Sequence, residues 1–230
     1  MSSITPLRQS GRLAAFFLIT QYVLMLAAFL ILSSTINWPA SLDDPASIAL
    51  PRVLDQSQPM MLGYGCYLLV GLLLIPATVA LNARLGVKGS LASATVALAT
   101  LSAVAKSIGI TRWLFAMPVL AQAYITPEAD KATIAIIFEM LNAYAGGIGE
   151  ILGVGLISGI WTILMASELM KAPGKIARPL AIFVFITAII LFATIPAGFG
   201  IDMGPVLTIS GIIWQAGLLG MGLWALTPPR

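Results

Sequence analysis

The sequence predicts an all-α fold: a single polytopic integral membrane domain over residues 1–230, with six transmembrane helices and both termini cytoplasmic. Three observations predict it. The 230 residues are 59% hydrophobic and only 9% charged, with a mean hydropathy of +1.00. A soluble domain carries about 25% charged residues, so a globule in water could not cover its surface with these side chains. Charge-free stretches recur at the length that crosses a bilayer, about 20 residues. The basic residues gather on one side of the resulting topology. Soluble, disordered and nucleic-acid-binding classes are excluded on these grounds.

The first charge-free run is Leu13–Leu42, and its spanning part is 13–32. It exceeds the apolar core of a signal peptide, about 7–15 residues, so it is expected to be a retained helix. Asn37-Trp38-Pro39 breaks the run at an interface. A long external loop, 33–59, follows. Within it Ser41-Leu42-Asp43-Asp44-Pro45 reads as a helix cap with proline at the first turn. A short amphipathic helix over Pro45–Leu54 is predicted on the membrane face. The second span is 60–83. Arg84–Gly89 is a tight turn, so the second and third (90–117) spans should be antiparallel neighbours.

The fourth span is 146–167, but the helical pattern starts earlier. As one helix, Lys131–Ser167 would run about 55 Å against a hydrocarbon core of about 30 Å. It could begin as an interfacial helix from Pro127, kink at Gly146-Gly147, or contain a seventh half-span. The fifth span is 179–198 and the sixth 204–226, with Lys171–Pro179 a stiff basic loop before them. Pro76 and Pro196 read as kinks. The five tryptophans read as interfacial anchors.

Orientation follows from lysine and arginine. Arg8, Arg12, Arg84, Lys88, Lys171, Lys175, Arg178 and Arg230 fall on one side, and Arg52 and Lys131 on the other. That asymmetry puts both termini inside. Asp43, Asp44, Asp55, Glu128, Asp130 and Asp202 fall on the outer side. The result is a multi-pass membrane protein.

Chemistry is narrowed by what is missing. The chain has no histidine and one cysteine, Cys66. Histidine-based metal sites, histidine-ligated haem, Ser-His or Cys-His nucleophiles and an intrachain disulfide are all excluded. No zinc-protease, nucleophile-elbow, P-loop or dinucleotide motif occurs. No metal and no cofactor is expected.

What needs explaining is the charge inside the spans: Lys106, Arg112, Glu139 and Glu150. An ionised group at mid-bilayer costs about 2.5–3.5 kcal/mol on insertion scales, so such groups face the protein interior and pair. Counted from the cytoplasmic ends, Lys106 and Glu150 lie at similar depth, with Arg112, Asn142 and Glu139 nearer the outer surface. An α-helical period puts Glu139, Asn142, Gly146, Glu150 and Gly153 on one stripe, with Tyr144 beside it. Small residues there allow close helix approach. That face is predicted to pack on the third span, with a Lys106–Glu150 pair and an outer Arg112–Glu139 pair.

The stretch Ile110-Thr111-Arg112-Trp113-Leu114-Phe115-Ala116-Met117-Pro118 resembles bacterial membrane proteins of the family called domain of unknown function 4386. So does Phe138-Glu139-Met140-Leu141-Asn142-Ala143-Tyr144-Ala145-Gly146-Gly147, followed by Gly149-Glu150 and Gly153. The resemblance is clearest over Ile108–Ile182. It implies a six-span bacterial inner-membrane protein and singles out Arg112, Trp113, Asn142, Tyr144, Gly146 and Glu150. It lends no activity. Ile151 stands where many such proteins carry histidine directly after the glutamate.

The leading expectation is a protein that binds or passes a small ligand or lipid at a polar intramembrane site between the third and fourth spans. A small intramembrane enzyme with Glu150 or Glu139 as acid or base is one alternative. A structural subunit of a membrane complex is the other. The expected partners are the lipid bilayer, that ligand or lipid, and a membrane-protein partner or second copy. Nucleic acid is not expected.

Overall fold

The computed structural model describes residues 4–201, 203 and 205–228. Asp202, Arg230 and the 204 start of the sixth predicted span lie outside the described residues. Among the described residues the chain is helical throughout, without strands. The helices are α1 (Ile4–Ile36), α2 (Ala46–Asp55), α3 (Ser57–Leu85), α4 (Gly89–Thr111), α5 (Met117–Tyr124), α6 (Lys131–Gly146), α7 (Gly159–Lys171), α8 (Ala177–Phe192) and α9 (Pro205–Ala225). Two wider π-helical segments, Arg112–Ala116 and Gly147–Ser158, join α4 to α5 and α6 to α7.

Five continuous helical runs are long and apolar enough to cross a membrane: Leu7–Ile36, Ser57–Leu85, Gly89–Tyr124, Lys131–Lys171 and Ala177–Phe199. The shorter apolar stretch Ile209–Ala225 belongs to α9. Several runs outgrow their predicted spans. The α1 helix begins before Arg8 and Arg12, because a charge ends an apolar run without ending a helix. The fourth run begins at Lys131 and is unbroken through Gly146-Gly147, where it changes winding instead of stopping. The Asp130 side chain caps its start, accepting from the Thr133 N–H at 3.1 Å.

The turn between α3 and α4 forms as expected. Gly86 adopts φ +74°, the left-handed conformation that ends a helix without a Cβ penalty. Asn82 then ties the two helices, its Nδ2 donating to Thr95 Oγ1 at 2.9 Å. The external loop does hold a short helix, but two details differ from expectation. Pro45 precedes α2 with no side-chain cap, and Ala40–Asp43 form a 3-10 turn. The apolar face of α2, including Ala46, Ala49, Leu50 and Val53, is buried within the protein and not laid on lipid. Arg52 anchors the loop through Asp44 and the Ile36 carbonyl.

Two apolar cores divide the bundle. One gathers Leu18, Leu74, Trp161, Met165, Trp214 and Trp224 from α1, α3, α7 and α9. The other gathers Leu32, Leu50, Tyr64, Trp113, Met117 and Phe138. Four tryptophans expected at the lipid interface are therefore interior: Trp113, Trp161, Trp214 and Trp224 are 5% exposed or less. Their N–H groups explain part of this. Trp161 Nε1 donates to Thr78 Oγ1 at 3.1 Å, and Trp214 Nε1 to Thr162 Oγ1 at 2.8 Å. An indole with a buried acceptor has no need of the wet interface. Pro196 lies in a 3-10 turn, Ile195–Phe199, beyond the end of α8, so it terminates that helix and does not kink it.

Candidate functional site

The contact between α4 and the Gly147–Ser158 segment is made by glycines. A Cβ added to Gly149 would stand 2.9 Å from the Gly109 Cα, and one on Gly153 would stand 3.0 Å from the Ala105 Cβ. The two backbones touch there as the small-residue pattern predicted. Gly155 and Gly159 serve another contact, seating Thr194 and Phe192 at the end of α8.

The close approach delivers charged groups to one place, in a different pairing from the predicted one. Arg112 Nη2 donates to Glu150 Oε1 at 3.4 Å. Arg112 Nη1 also folds back onto the Gly109 carbonyl at 3.1 Å. Its guanidinium lies over Gly146, where a Cβ would stand 3.3 Å from Nη2. Among the described residues Lys106 has no carboxylate partner. Its ammonium sits over the Trp214 ring, 4.4 Å from the centroid. Glu139 is exposed on α6 and is not paired with Arg112, while its neighbour Phe138 is buried.

Depth along the helices is the physical reason. Gly146 and Glu150 both face the Arg112 guanidinium, which folds back to the Gly109 carbonyl. Glu139 stands seven residues from Gly146, about two α-helical turns away and beyond the reach of Arg112. Arg112 opens one π segment and Glu150 lies in the other. Both members of the pair therefore stand where the helix has changed its winding.

A partly open cavity of about 590 Å³ lies against this pair. Lys106, Arg112, Glu150, Tyr64 and Tyr67 line it, as do Trp113 and the backbone of Gly109 and Gly149. Trp38 and Asp43 contribute from the external loop, Met25 and Phe29 from α1, and Ile209 and Ile212 from α9. The Glu150 side chain is 44% exposed, because it faces this space; the Arg112 side chain is 5% exposed. Tyr64 stacks on Trp113 with ring centroids 5.5 Å apart. Its buried hydroxyl has no hydrogen-bond partner among the described residues, nor does Arg112 Nε.

The predicted residues separate accordingly. Lys106, Arg112, Trp113 and Glu150 line the cavity, and Gly146 seats Arg112. Asn142 stands aside, its Nδ2 donating to the Leu42 carbonyl at 3.0 Å and so tying α6 to the external loop. Tyr144 is 68% exposed. Sequence reasoning missed Trp38, Asp43 and Trp214 as parts of the site. Tyr64 and Tyr67, three apart on one helical face, were the available signal. Nothing in the spacing marked Trp214 as the ring beneath Lys106.

This arrangement suits binding: mostly apolar walls with a few convergent polar groups. No group of three or more carboxylate or cysteine residues among those described could hold a metal ion. No curated protein and no solved structure matches the chain. A family model does, the one described as Domain of unknown function (DUF4386), over residues 13–227. That match takes in the cavity and nearly all the helices around it, and the chain belongs to this family.

Proposed function

We propose that this is a six-span protein of the bacterial cytoplasmic membrane, both termini inside, which binds or passes a small ligand or lipid at the cavity between α4 and the fourth helical run. The observation that carries the reading is Lys106. It is 7% exposed, has no carboxylate partner among the described residues, and reaches a cavity of about 590 Å³. A cation held in an apolar interior costs several kcal/mol unless something compensates it. The Trp214 ring supplies about 1–2 kcal/mol, which leaves the balance for an occupant. A purely structural cluster would pair Lys106 within the protein.

The sixth span is supported by the apolar helix α9, and the orientation by basic residues at the α3–α4 turn and the α7–α8 loop. Both are tested by labelling in a Cys66→Ser background. Lys88→Cys should react with a membrane-impermeant maleimide only after permeabilisation, and Ser47→Cys in intact cells. The reverse pattern would invert the topology.

Binding is tested by native mass spectrometry of the protein released from detergent. The wild-type chain should carry a discrete amphiphile adduct that Lys106→Met loses. Equal adduct occupancy in both proteins would show that Lys106 holds nothing.

A further inference from the structure

The cavity lining is not uniform in charge or chemistry. From α4 and the π segment that follows it come Lys106 and the Arg112 guanidinium. From α1, the external loop and α3 come the rings of Phe29, Trp38 and Tyr67, which meet edge to face. Phe29 and Trp38 are 6.0 Å apart at 80°, and Trp38 and Tyr67 are 5.8 Å apart at 69°. All three rings line the cavity, and Asp43, five residues after Trp38 in the same external loop, lines it too. Near-perpendicular aromatic rings beside a carboxylate form a corner suited to an organic cation. Glu150, half-exposed and paired with Arg112, adds a second carboxylate to the lining.

The remaining wall is apolar. Towards the inner end of the bundle α1 and α9 are in direct contact, Gly222 lying under Leu18. Further out, Met25 of α1 and Ile212 of α9 line the cavity, and Ile212 is 54% exposed on the outer face of the bundle. An alkyl chain leaving the cavity between these side chains would pass directly into lipid.

We propose that the ligand is a zwitterionic amphiphile, with its anionic group on Lys106 and Arg112, its cationic group in the Trp38–Tyr67 corner beside Asp43, and its tail between α1 and α9. This deepens the proposed binding function and rests on it. A solely anionic ligand would satisfy Lys106 but leave the aromatic corner and Asp43 without a role. A solely cationic one would leave the Lys106 ammonium uncompensated.

The experiment titrates the protein, in a maltoside detergent, with four probes added below their micellar concentrations. These are dodecylphosphocholine, dodecyl phosphate, dodecyltrimethylammonium and tail-free phosphocholine, with binding read by calorimetry. Dodecylphosphocholine should bind at least tenfold more tightly than any of the other three. Trp38→Leu and the milder Asp43→Asn, at an exposed position, should each cut the preference of zwitterion over dodecyl phosphate to below threefold. Lys106→Met should weaken dodecylphosphocholine at least tenfold. Equal affinity for dodecyl phosphate and dodecylphosphocholine overturns the zwitterion while leaving the binding site intact. Equal affinity for tail-free phosphocholine overturns the amphiphile. Failure of all four probes to bind overturns the proposed function itself.

Discussion

The two apolar cores differ in how many hydrogen bonds join their helices, although Gln215 Oε1 beside Trp214 and Gln21 Oε1 on α1 are also buried without partners among the described residues. Around Trp161 and Trp214, polar side chains are spent on joining helices. Thr78 accepts from Trp161, Thr162 accepts from Trp214, and Asn82 bonds Thr95. Nearby, the hydroxyls of Ser102 and Ser158 lie 2.8 Å apart and both reach the Gly153 carbonyl. Around Trp113 the pattern breaks. Ser41 Oγ, Tyr64 OH, Arg112 Nε and Asn142 Oδ1 are buried without partners among the described residues, and Tyr64 and Arg112 line the cavity. Buried polar atoms are usually paired, and each exception asks for an explanation. The first core carries the hydrogen bonds that join α3, α7 and α9, and the second has a cavity along Tyr64 and Arg112.

The largest effect expected is at the seam between the two cores. Gly149→Leu would drive a side chain into the Gly109 backbone and force α4 away from the fourth run. Loss of the folded, monodisperse protein on size-exclusion chromatography is expected, beyond the ~1–3 kcal/mol of ordinary overpacking. A stable Gly149→Leu protein would mean that the two helices are not in contact.

Next comes the closed core. Trp161→Ala removes a fully buried indole and its hydrogen bond to Thr78, which keeps its bond to the Leu74 carbonyl, and should cost about 3–5 kcal/mol in thermal unfolding. Thr78→Val leaves the indole N–H without its acceptor and should cost about 1–2 kcal/mol. The contrasting change in the open core is Tyr64→Phe. Its hydroxyl has no partner to lose, so stability should stay within about 0.5 kcal/mol of wild type or rise. A penalty as large as that of Thr78→Val would erase the distinction between the cores.

The smallest effect lies outside both. Asp130, fully exposed at the start of α6, is held below the usual carboxylate range by hydrogen bonds from the Thr133 hydroxyl and N–H. Its folded-state value is depressed, so the cap's contribution is complete above the unfolded carboxylate value. It is lost as pH falls through the folded one. In Thr133→Ala the Asp130 titration, followed by NMR, should move up towards the ordinary range. An unchanged titration would remove Thr133 as the cause.

Much of this was legible in the residues, and what was not has a common cause. Span positions follow from apolar length, because only a helix satisfies its own backbone in lipid. The glycine seam follows from residue size: Gly149 and Gly153 had to meet something close. The tryptophans were misplaced because an indole suits an interface or a buried hydroxyl equally well, and the threonines that accept lie on other helices. The charge pairing was misassigned because the Arg112 side chain folds back along its helix to the level of Gly109 and Gly146, within reach of Glu150 and about two turns from Glu139.

The sequence by itself determined the solvent of this protein, its helical class and the small set of charged residues that must be sheltered. Those properties depend on composition and on local period, and neither needs a neighbour. Only the tertiary structure decided that Glu150 meets Arg112, that Lys106 rests on Trp214, and that one cavity takes in these charges and the aromatic corner at the external loop. Which charges meet depends on how a side chain folds along its helix and on what faces it from other helices. Neither is written in the spacing of one chain segment.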